Sequence, residues 1–172
     1  MFKMIIADDE PTTRQGIRTA INWSLLDIEI IGEAANGAEA LEMVRALDPD
    51  ILICDIRMPK MDGITLAGIL HSEKPDLQIL FLSGYSDKEY LKTAIRINAV
   101  DYLYKPFELD ELITAVKKAK SQINKRNILQ RPAGDSDIAL QLIDSHSRAT
   151  IIESGRLPLD SPSALGQYGA PT

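Results

Sequence analysis

Four short segments of the chain are apolar almost without interruption, and they restrict the fold more than any other feature. They are residues 3–7 (KMIIA), 51–55 (ILICD), 78–83 (QILFLS) and 100–104 (VDYLY). A strand with one face in water alternates apolar and polar residues, whereas a strand covered on both faces is apolar throughout. The four segments are therefore predicted to be central strands of a parallel sheet, with residues 29–34 as a fifth, weaker strand.

Segments with helical spacing of apolar residues lie between these strands. Pro11 suits the first turn of one helix, and Asn36 followed by Glu39 is a capping pattern for a second. Three further helices are marked by Leu66, Ala67 and Leu70; by Leu91, Ala94 and Ile95 after Asp87; and by Leu109, Leu112, Ile113 and Val116, the last predicted to reach about Arg126. Short β-α crossovers of this kind close right-handed, which predicts a doubly wound α/β domain.

Composition limits what else the chain contains. With 172 residues, 45% of them apolar, it can bury one core and carry a short extension, so we expect a domain over residues 1–126 and an uncharacterised tail over 127–172. The chain has no apolar run long enough for a membrane span and no secretory signal at its start, so a cytoplasmic protein is expected. The lone cysteine, Cys54, is predicted to be a buried thiol.

Charged and polar residues follow four of the predicted strands at the point where each ends. Asp8 and Asp9 follow the first strand, Asp55 ends the third, Ser83 ends the fourth and Lys105 follows the fifth. In a doubly wound sheet, ligands bind at the carboxyl ends of the strands, so we expect these side chains to lie together.

The chemistry of this set favours phosphoryl transfer. Three crowded carboxylates repel one another unless a cation separates them, and Mg²⁺ prefers oxygen ligands. Lys105 would make the metal-bound site close to neutral and able to accept a phosphoryl dianion.

Each residue also has a structural alternative. Asp8 and Asp9 could cap a helix, Ser83-Gly84 could be a common strand exit and Lys105 a solvated lysine. Met58-Pro59 could be a turn, Asp62-Gly63 a helix start, and Tyr102 a core residue. These alternatives must hold at four strand ends simultaneously to replace the site, and we therefore favour the site.

The combination of motifs resembles the receiver domain of bacterial two-component response regulators. The resemblance depends on Asp8-Asp9, the stretch DIRMPKMDG (residues 55–63), Ser83-Gly84 and Lys105-Pro106-Phe107, and covers about residues 2–126. Two longer stretches, INWSLLDIEIIGEAANGAEALEMV and LSGYSDKEYLKTAIRINAVDYLYKPF, are similar to receivers that precede an AraC-type DNA-binding output. The resemblance implies a flavodoxin-like sheet with strand order 2-1-3-4-5.

It also implies a role for each site residue. Asp55 would accept a phosphoryl group from the phosphohistidine of a sensor histidine kinase. Asp9, Asp55 and the backbone carbonyl of Arg57 would bind Mg²⁺ directly, and Asp8 would hold it through water. Ser83 and Lys105 would bind the phosphoryl oxygens.

The resemblance further implies a switch. Lys105-Pro106 would be a cis peptide that directs the lysine inward, and Tyr102 would turn inward when Ser83 moves toward the phosphate. The face of the fourth helix, fifth strand and fifth helix would then change and control an output, which suggests transcription regulation, with a possible homodimer through the same face.

Two other functions remain open from the sequence. One is a Mg²⁺-dependent phosphatase or phosphotransferase with an aspartyl-phosphate intermediate, which would need a general acid where Arg57 stands; the other is a docking module that accepts no phosphoryl group. The tail, with a possible short helix led by Asp137, is too short for an AraC-type output, so no DNA contact is expected from this chain and a net charge of −6 agrees. Whether such an output is missing, truncated or never present stays open. His71 and His146 are expected at the surface.

Overall fold

Five strands of the computed structural model form one parallel sheet. The structure describes residues 1–84 and 99–129, which belong to a unit that spans Met1–Leu129. The strands are β1 (Phe2–Ala7), β2 (Ile28–Ala34), β3 (Ile51–Asp55), β4 (Gln78–Ser83) and β5 (Asp101–Tyr104). The helices described are α1 (Pro11–Ala20), a 3-10 helix (Trp23–Leu26), α2 (Gly37–Leu47), α3 (Gly63–Glu73) and α4 (Leu109–Leu129), the last corresponding to the fifth predicted helix.

The strand order is β2-β1-β3-β4-β5, which confirms the predicted doubly wound, flavodoxin-like fold. All four pairings are parallel. β3 and β4 have the predicted bounds, and every residue in them is buried, as unbroken apolar runs require. β1 and β2 each begin one residue earlier than predicted, and β5 begins one residue later, at Asp101.

Successive residues of the central strands point to opposite faces, and each face carries its own apolar layer. On one face, Ile6, Ile53 and Leu80 pack with α1 and α4; on the other, Leu52 and Phe81 pack with α2 and α3. Full burial of each such side chain contributes about 1.5–3 kcal/mol relative to exposure. Cys54 lies in the second layer with no exposed surface, which confirms its prediction as a buried thiol.

Local signals in the sequence fix where the helices begin. Pro11 is the first residue of α1. Asn36 Oδ1 accepts the amide of Glu39 at 3.0 Å, and Glu39 Oε2 accepts the amide of Ala35 at 3.0 Å, so the predicted cap of α2 is confirmed with a reciprocal bond one residue further back. Asp62 Oδ1 accepts the amide of Thr65 at 2.6 Å and caps α3.

Some features differ from the predictions or lie beyond the described residues. The 3-10 helix Trp23–Leu26 was not predicted, and α4 continues to Leu129 rather than ending at about Arg126. His71 is exposed, as expected. The predicted fourth helix after Asp87, the Asp137 segment and His146 lie outside the described residues. Among the described helices, none has the length and apolar character needed to span a membrane.

Candidate acidic site at the carboxyl edge of the sheet

Three aspartates meet at the carboxyl ends of β1 and β3. The two strands are neighbours in the sheet, with Ala7 opposite Cys54, so the residues that follow emerge side by side. One carboxylate oxygen from each of Asp8, Asp9 and Asp55 can be chosen so that all three lie within 4.8 Å of one another. Asp8 is fully buried and Asp55 is 6% exposed, whereas Asp9 is exposed. This edge therefore concentrates negative charge where two of the three carboxylates have little access to water.

Lys105, which follows β5, reaches across the edge into this group. Its Nζ lies 2.6 Å from Oδ2 of Asp55, 2.7 Å from Oδ2 of Asp8 and 3.6 Å from Oε2 of Glu10. Its amide donates to the carbonyl oxygen of Ser83 at 2.7 Å, which fixes the main chain beside β4. The peptide bond between Lys105 and Pro106 is cis. Lys105 thus brings one positive charge to the aspartate cluster.

The electrostatics show a site that one lysine does not fully balance. Partial burial would lower the pKa of Lys105, but hydrogen bonds to Asp55 and Asp8 outweigh it and raise the pKa to about 12, so the ammonium is charged at neutral pH. Burial raises the pKa of Asp8 above its ordinary value, and the negative charge of Asp55 adds to this rise despite the opposing contacts with Lys105 and the Glu10 amide. The charged form of Asp8 is therefore destabilised in this site, and a nearby cation would stabilise it.

Asp55 is held at both carboxylate oxygens. Oδ1 accepts the amide of Arg57 at 3.1 Å, and Oδ2 accepts the ammonium of Lys105 at 2.6 Å. The loop that follows is pinned to the sheet, because the amide of Ile56 donates to Leu82 O at 3.0 Å and the amide of Gly63 donates to Ile56 O at 2.9 Å. The carboxylate consequently has a defined orientation toward the acidic group.

Ser83 and Tyr102 are in contact beside the aspartates. Ser83 is fully buried, and its Oγ donates to the carbonyl oxygen of Gly84 at 2.9 Å and lies 2.6 Å from the hydroxyl of Tyr102. A serine hydroxyl has one hydrogen, so with that hydrogen on Gly84 the phenol is the donor to Ser83. The half-buried ring of Tyr102 packs against Phe81 and, edge-on at 5.1 Å, against Tyr104. The position of Ser83 is thus linked to that of an aromatic ring near the surface.

The structure adds two residues that the sequence did not identify. Glu10 places a third carboxylate near Lys105, and Arg14 in α1 donates from Nη1 to the carbonyl oxygen of Asp8 at 2.5 Å. The position of Glu10 next to the aspartate pair in the sequence was a weak indication that it lies in the site. Arg14 gave no such indication, since its contact depends on the direction of a main-chain carbonyl that no residue pattern specifies.

The donor set fits a hard divalent cation. All the candidate ligands are oxygens, the Lys105 ammonium contacts two of the three aspartates, and Mg²⁺ takes oxygen ligands at sites of this charge. A doubly wound domain with an aspartate cluster and a lysine at this edge has the groups expected of a phosphoryl-transfer site.

The chain belongs to the response regulator receiver domain family, whose family model matches residues 4–117. The resemblance predicted from the sequence motifs is confirmed. The chain is therefore a receiver domain of the kind found in two-component systems.

Curated relatives include proteins named as transcriptional regulatory proteins. The chain is 32% identical over 168 residues to the transcriptional regulatory protein BtsR of Salmonella typhi, an alignment that covers 98% of this chain and 69% of BtsR. It is 30% identical over 168 residues to the uncharacterized transcriptional regulatory protein YesN of Bacillus subtilis, an alignment that covers 96% of this chain and 46% of YesN. The chain thus spans less than half of YesN and about two thirds of BtsR.

Solved structures include the AraC-type receivers predicted from the sequence. The receiver domain of AraT from Geobacillus stearothermophilus is 36% identical with a TM-score of 0.70, covering 73% of this chain and 98% of that one. The two-component transcriptional regulator AraC from Clostridium phytofermentans is 38% identical with a TM-score of 0.69, covering 74% and 98%.

Proposed function

We propose that Asp55 accepts a phosphoryl group from the phosphohistidine of a sensor histidine kinase. A carboxylate oxygen of Asp55 attacks phosphorus and forms an O–P bond, the N–P bond to the kinase breaks, and its electron pair returns to the imidazole, which takes a proton from solvent. The observation that carries this proposal is the position of Asp55, nearly buried, held at both oxygens and paired with Lys105 within the acidic group.

Asp8, Asp9, Asp55 and the backbone carbonyl of Arg57 are the proposed holders of Mg²⁺, with Asp8 acting through water. The proposal is supported by the 4.8 Å spread of the carboxylate oxygens and by the raised pKa of Asp8, which burial causes. When bound, Mg²⁺ supplies positive charge to the phosphoryl oxygens. Asp8 and Asp55 would offer the cation carboxylates that are largely withdrawn from bulk water, and the exposed Asp9 would complete the group.

Lys105 and Ser83 are proposed to bind the new phosphoryl group. Lys105 is charged and already touches the accepting carboxylate, so it can pair with a phosphoryl oxygen without a large movement. The Ser83 hydroxyl would turn from its contacts with Gly84 and Tyr102 toward the phosphoryl group. These movements couple the charge of the phosphoryl group to the Tyr102 ring.

The output surface is proposed to be the face formed by the predicted fourth helix, β5 and α4. Tyr102 lies in β5, so its movement would alter this face, which would control transcription and provide a homodimer contact. The receiver is proposed to occupy residues 1–126 in a cytoplasmic protein that acts as a switch and not as a turnover enzyme. The exposed Arg57 stands where a phosphatase of the alternative class would need a general acid, and no observation favours that class.

Incubation with acetyl phosphate and Mg²⁺, followed by mass spectrometry of the intact protein, tests this function. We expect one slowly lost phosphoryl group per chain that is absent in Asp55→Asn. Asp62→Asn is the matched control, because Asp62 is an exposed aspartate that caps α3, and its variant should be labelled normally. Labelled Asp55→Asn protein would refute the proposal, continuous turnover of acetyl phosphate would favour a phosphatase, and no labelling of the native chain would favour a docking module.

A further inference from the structure

Arg14 joins the first helix to the main chain of the acidic site. Its Nη1 donates to the carbonyl oxygen of Asp8 at 2.5 Å, and its side chain is 16% exposed. That carbonyl belongs to the peptide unit between Asp8 and Asp9. A hydrogen bond to it therefore sets the direction of the main chain that carries two of the three clustered carboxylates.

The guanidinium also lies beside a carboxylate from β2. Its Nε lies 3.6 Å from Oε2 of Glu33 in β2, a distance for an ion pair but too long for a hydrogen bond. Glu33 also pairs with Arg18, whose side chain is 56% exposed. The two arginines thus share one carboxylate, but in the described residues Arg14 is the one that contacts Asp8.

We propose that Arg14 is a positioning residue for the divalent cation site. It would orient the Asp8–Asp9 peptide so that both carboxylates face Asp55, while touching neither cation nor phosphoryl group itself. The inference rests on the proposed function, since it concerns the same cation. Groups that orient metal ligands from outside the coordination sphere typically change metal affinity 10- to 100-fold when they are replaced.

Whether replacement of Arg14 weakens or strengthens Mg²⁺ binding distinguishes a positioning role from a purely electrostatic one. Removing a positive charge near an acidic site should, by charge alone, strengthen the binding of a cation. Loss of orientation should weaken it. Arg14→Gln removes both the charge and the fixed geometry, whereas Arg18→Gln removes the neighbouring charge and leaves the bond to Asp8 in place.

The experiment is calorimetric titration of unphosphorylated protein with MgCl₂, alongside thermal unfolding of each variant and labelling by acetyl phosphate at several Mg²⁺ concentrations. We expect Arg14→Gln to bind Mg²⁺ about tenfold more weakly, with labelling at saturating Mg²⁺ close to that of the native chain. Arg14→Lys, which can still donate to the carbonyl, should recover part of the affinity. Arg18→Gln should bind as the native chain does or slightly more tightly.

The outcomes distinguish this inference from the function on which it rests. The proposed cation site predicts that the native chain binds Mg²⁺ and that Asp9→Asn abolishes this binding. If either result is not obtained, the proposed cation site itself is wrong. If native binding is present and Arg14→Gln binds equally or more tightly, only the positioning role is refuted. Should Arg14→Gln fail to fold, Arg14→Met decides, because methionine keeps much of the side-chain length but cannot donate to the carbonyl. Mg²⁺ binding by Arg14→Met as tight as that by Arg18→Gln would also refute the role.

Discussion

A β-carbon added to Gly63 would lie 2.2 Å from the main-chain oxygen of Asp55 and 2.9 Å from Sγ of Cys54. The first turn of α3 is therefore packed directly on the backbone of the proposed phosphoacceptor. The amide of Gly63 also donates to Ile56 O at 2.9 Å, so the contact cannot open without loss of a hydrogen bond. The glycine is needed here for close approach of two main chains, and not for a special backbone angle.

Gly63→Ala should destabilise the fold and disturb the acidic site. The atom it meets is backbone and cannot rotate away, so we expect a loss of about 1–3 kcal/mol in the free energy of unfolding, as for other overpacked positions. Weaker Mg²⁺ binding should accompany it, because the displaced segment carries Asp55. Denaturant unfolding and Mg²⁺ titration measure the two effects.

Gly68→Ala is the matched control in the same helix. Gly68 is exposed, and a β-carbon there would have no described neighbour within 4 Å, so alanine should stabilise α3 by about 0.5–1 kcal/mol through its better helix propensity. If the two glycine variants changed stability in the same direction, the steric argument for Gly63 would be wrong.

Lys105→Ala should bind Mg²⁺ more tightly and lose the link between phosphorylation and output. The ammonium pairs with Asp55 at 2.6 Å and Asp8 at 2.7 Å, so its removal leaves more negative charge for the cation. Asp55 should still be labelled, since it supplies the attacking oxygen. Calorimetry and amide hydrogen exchange of β5 and α4, with and without beryllofluoride, measure these effects.

Two results would count against this prediction. Weaker Mg²⁺ binding would show that Lys105 orders the carboxylates more than it competes with the cation. A beryllofluoride-linked exchange change as large as that of the native chain would show that the output surface responds without the lysine.

Glu39→Gln should reduce stability at neutral pH but not in acid. Hydrogen bonds from the Ala35 amide and the Asn36 side chain lower the pKa of Glu39 below its ordinary value of 4.5. A carboxylate with a lowered folded-state pKa contributes stability above its unfolded pKa and loses it as the pH falls through the folded one. The native chain should thus have a larger free energy of unfolding than the variant at pH 7, and this difference should disappear as the pH falls below about 4.5. A difference that did not change with pH would contradict the charge-based explanation.

Much of the fold follows from sequence patterns because the interior is simple. The runs that became β3 and β4 are apolar except at Asp55, Gln78 and Ser83 at their ends, and their predicted bounds agree with the structure. The 3-10 helix Trp23–Leu26 escaped prediction because it depends on a tertiary contact, the hydrogen bond from Trp23 Nε1 to Ile17 O at 2.9 Å. The strand starts differ from the prediction by one residue at Phe2, Ile28 and Val100, all apolar and at least partly buried, so hydrophobicity does not mark where the strand begins.

The features of the site likewise fall into those that could be predicted from the sequence and those that could not. Asp8, Asp55 and Lys105 were predictable, since parallel strands bring their carboxyl ends to one edge of the sheet. Arg14 was not, because a helical arginine gives no sign of which carbonyl it will reach. The close approach of Gly63 to Asp55 was equally hidden, as Asp62-Gly63 reads as an ordinary helix start and indeed caps α3.

Tyr102→Phe should make the site bind beryllofluoride more tightly. The Tyr102 hydroxyl donates to Ser83 Oγ over 2.6 Å, so it helps to hold the serine at its contact with Gly84 and away from a phosphoryl oxygen. One hydrogen bond has a net value of about 0.5–1.5 kcal/mol, which corresponds to a two- to tenfold change in affinity. Phenylalanine keeps the packing against Phe81 and removes the hydrogen bond that holds Ser83 in this position. Titration with beryllofluoride at saturating Mg²⁺ measures the change, and Tyr104→Phe, which removes a hydroxyl from the neighbouring ring, should leave the affinity unchanged. Weaker binding in Tyr102→Phe would mean that the phenol supports the serine in the phosphorylated form.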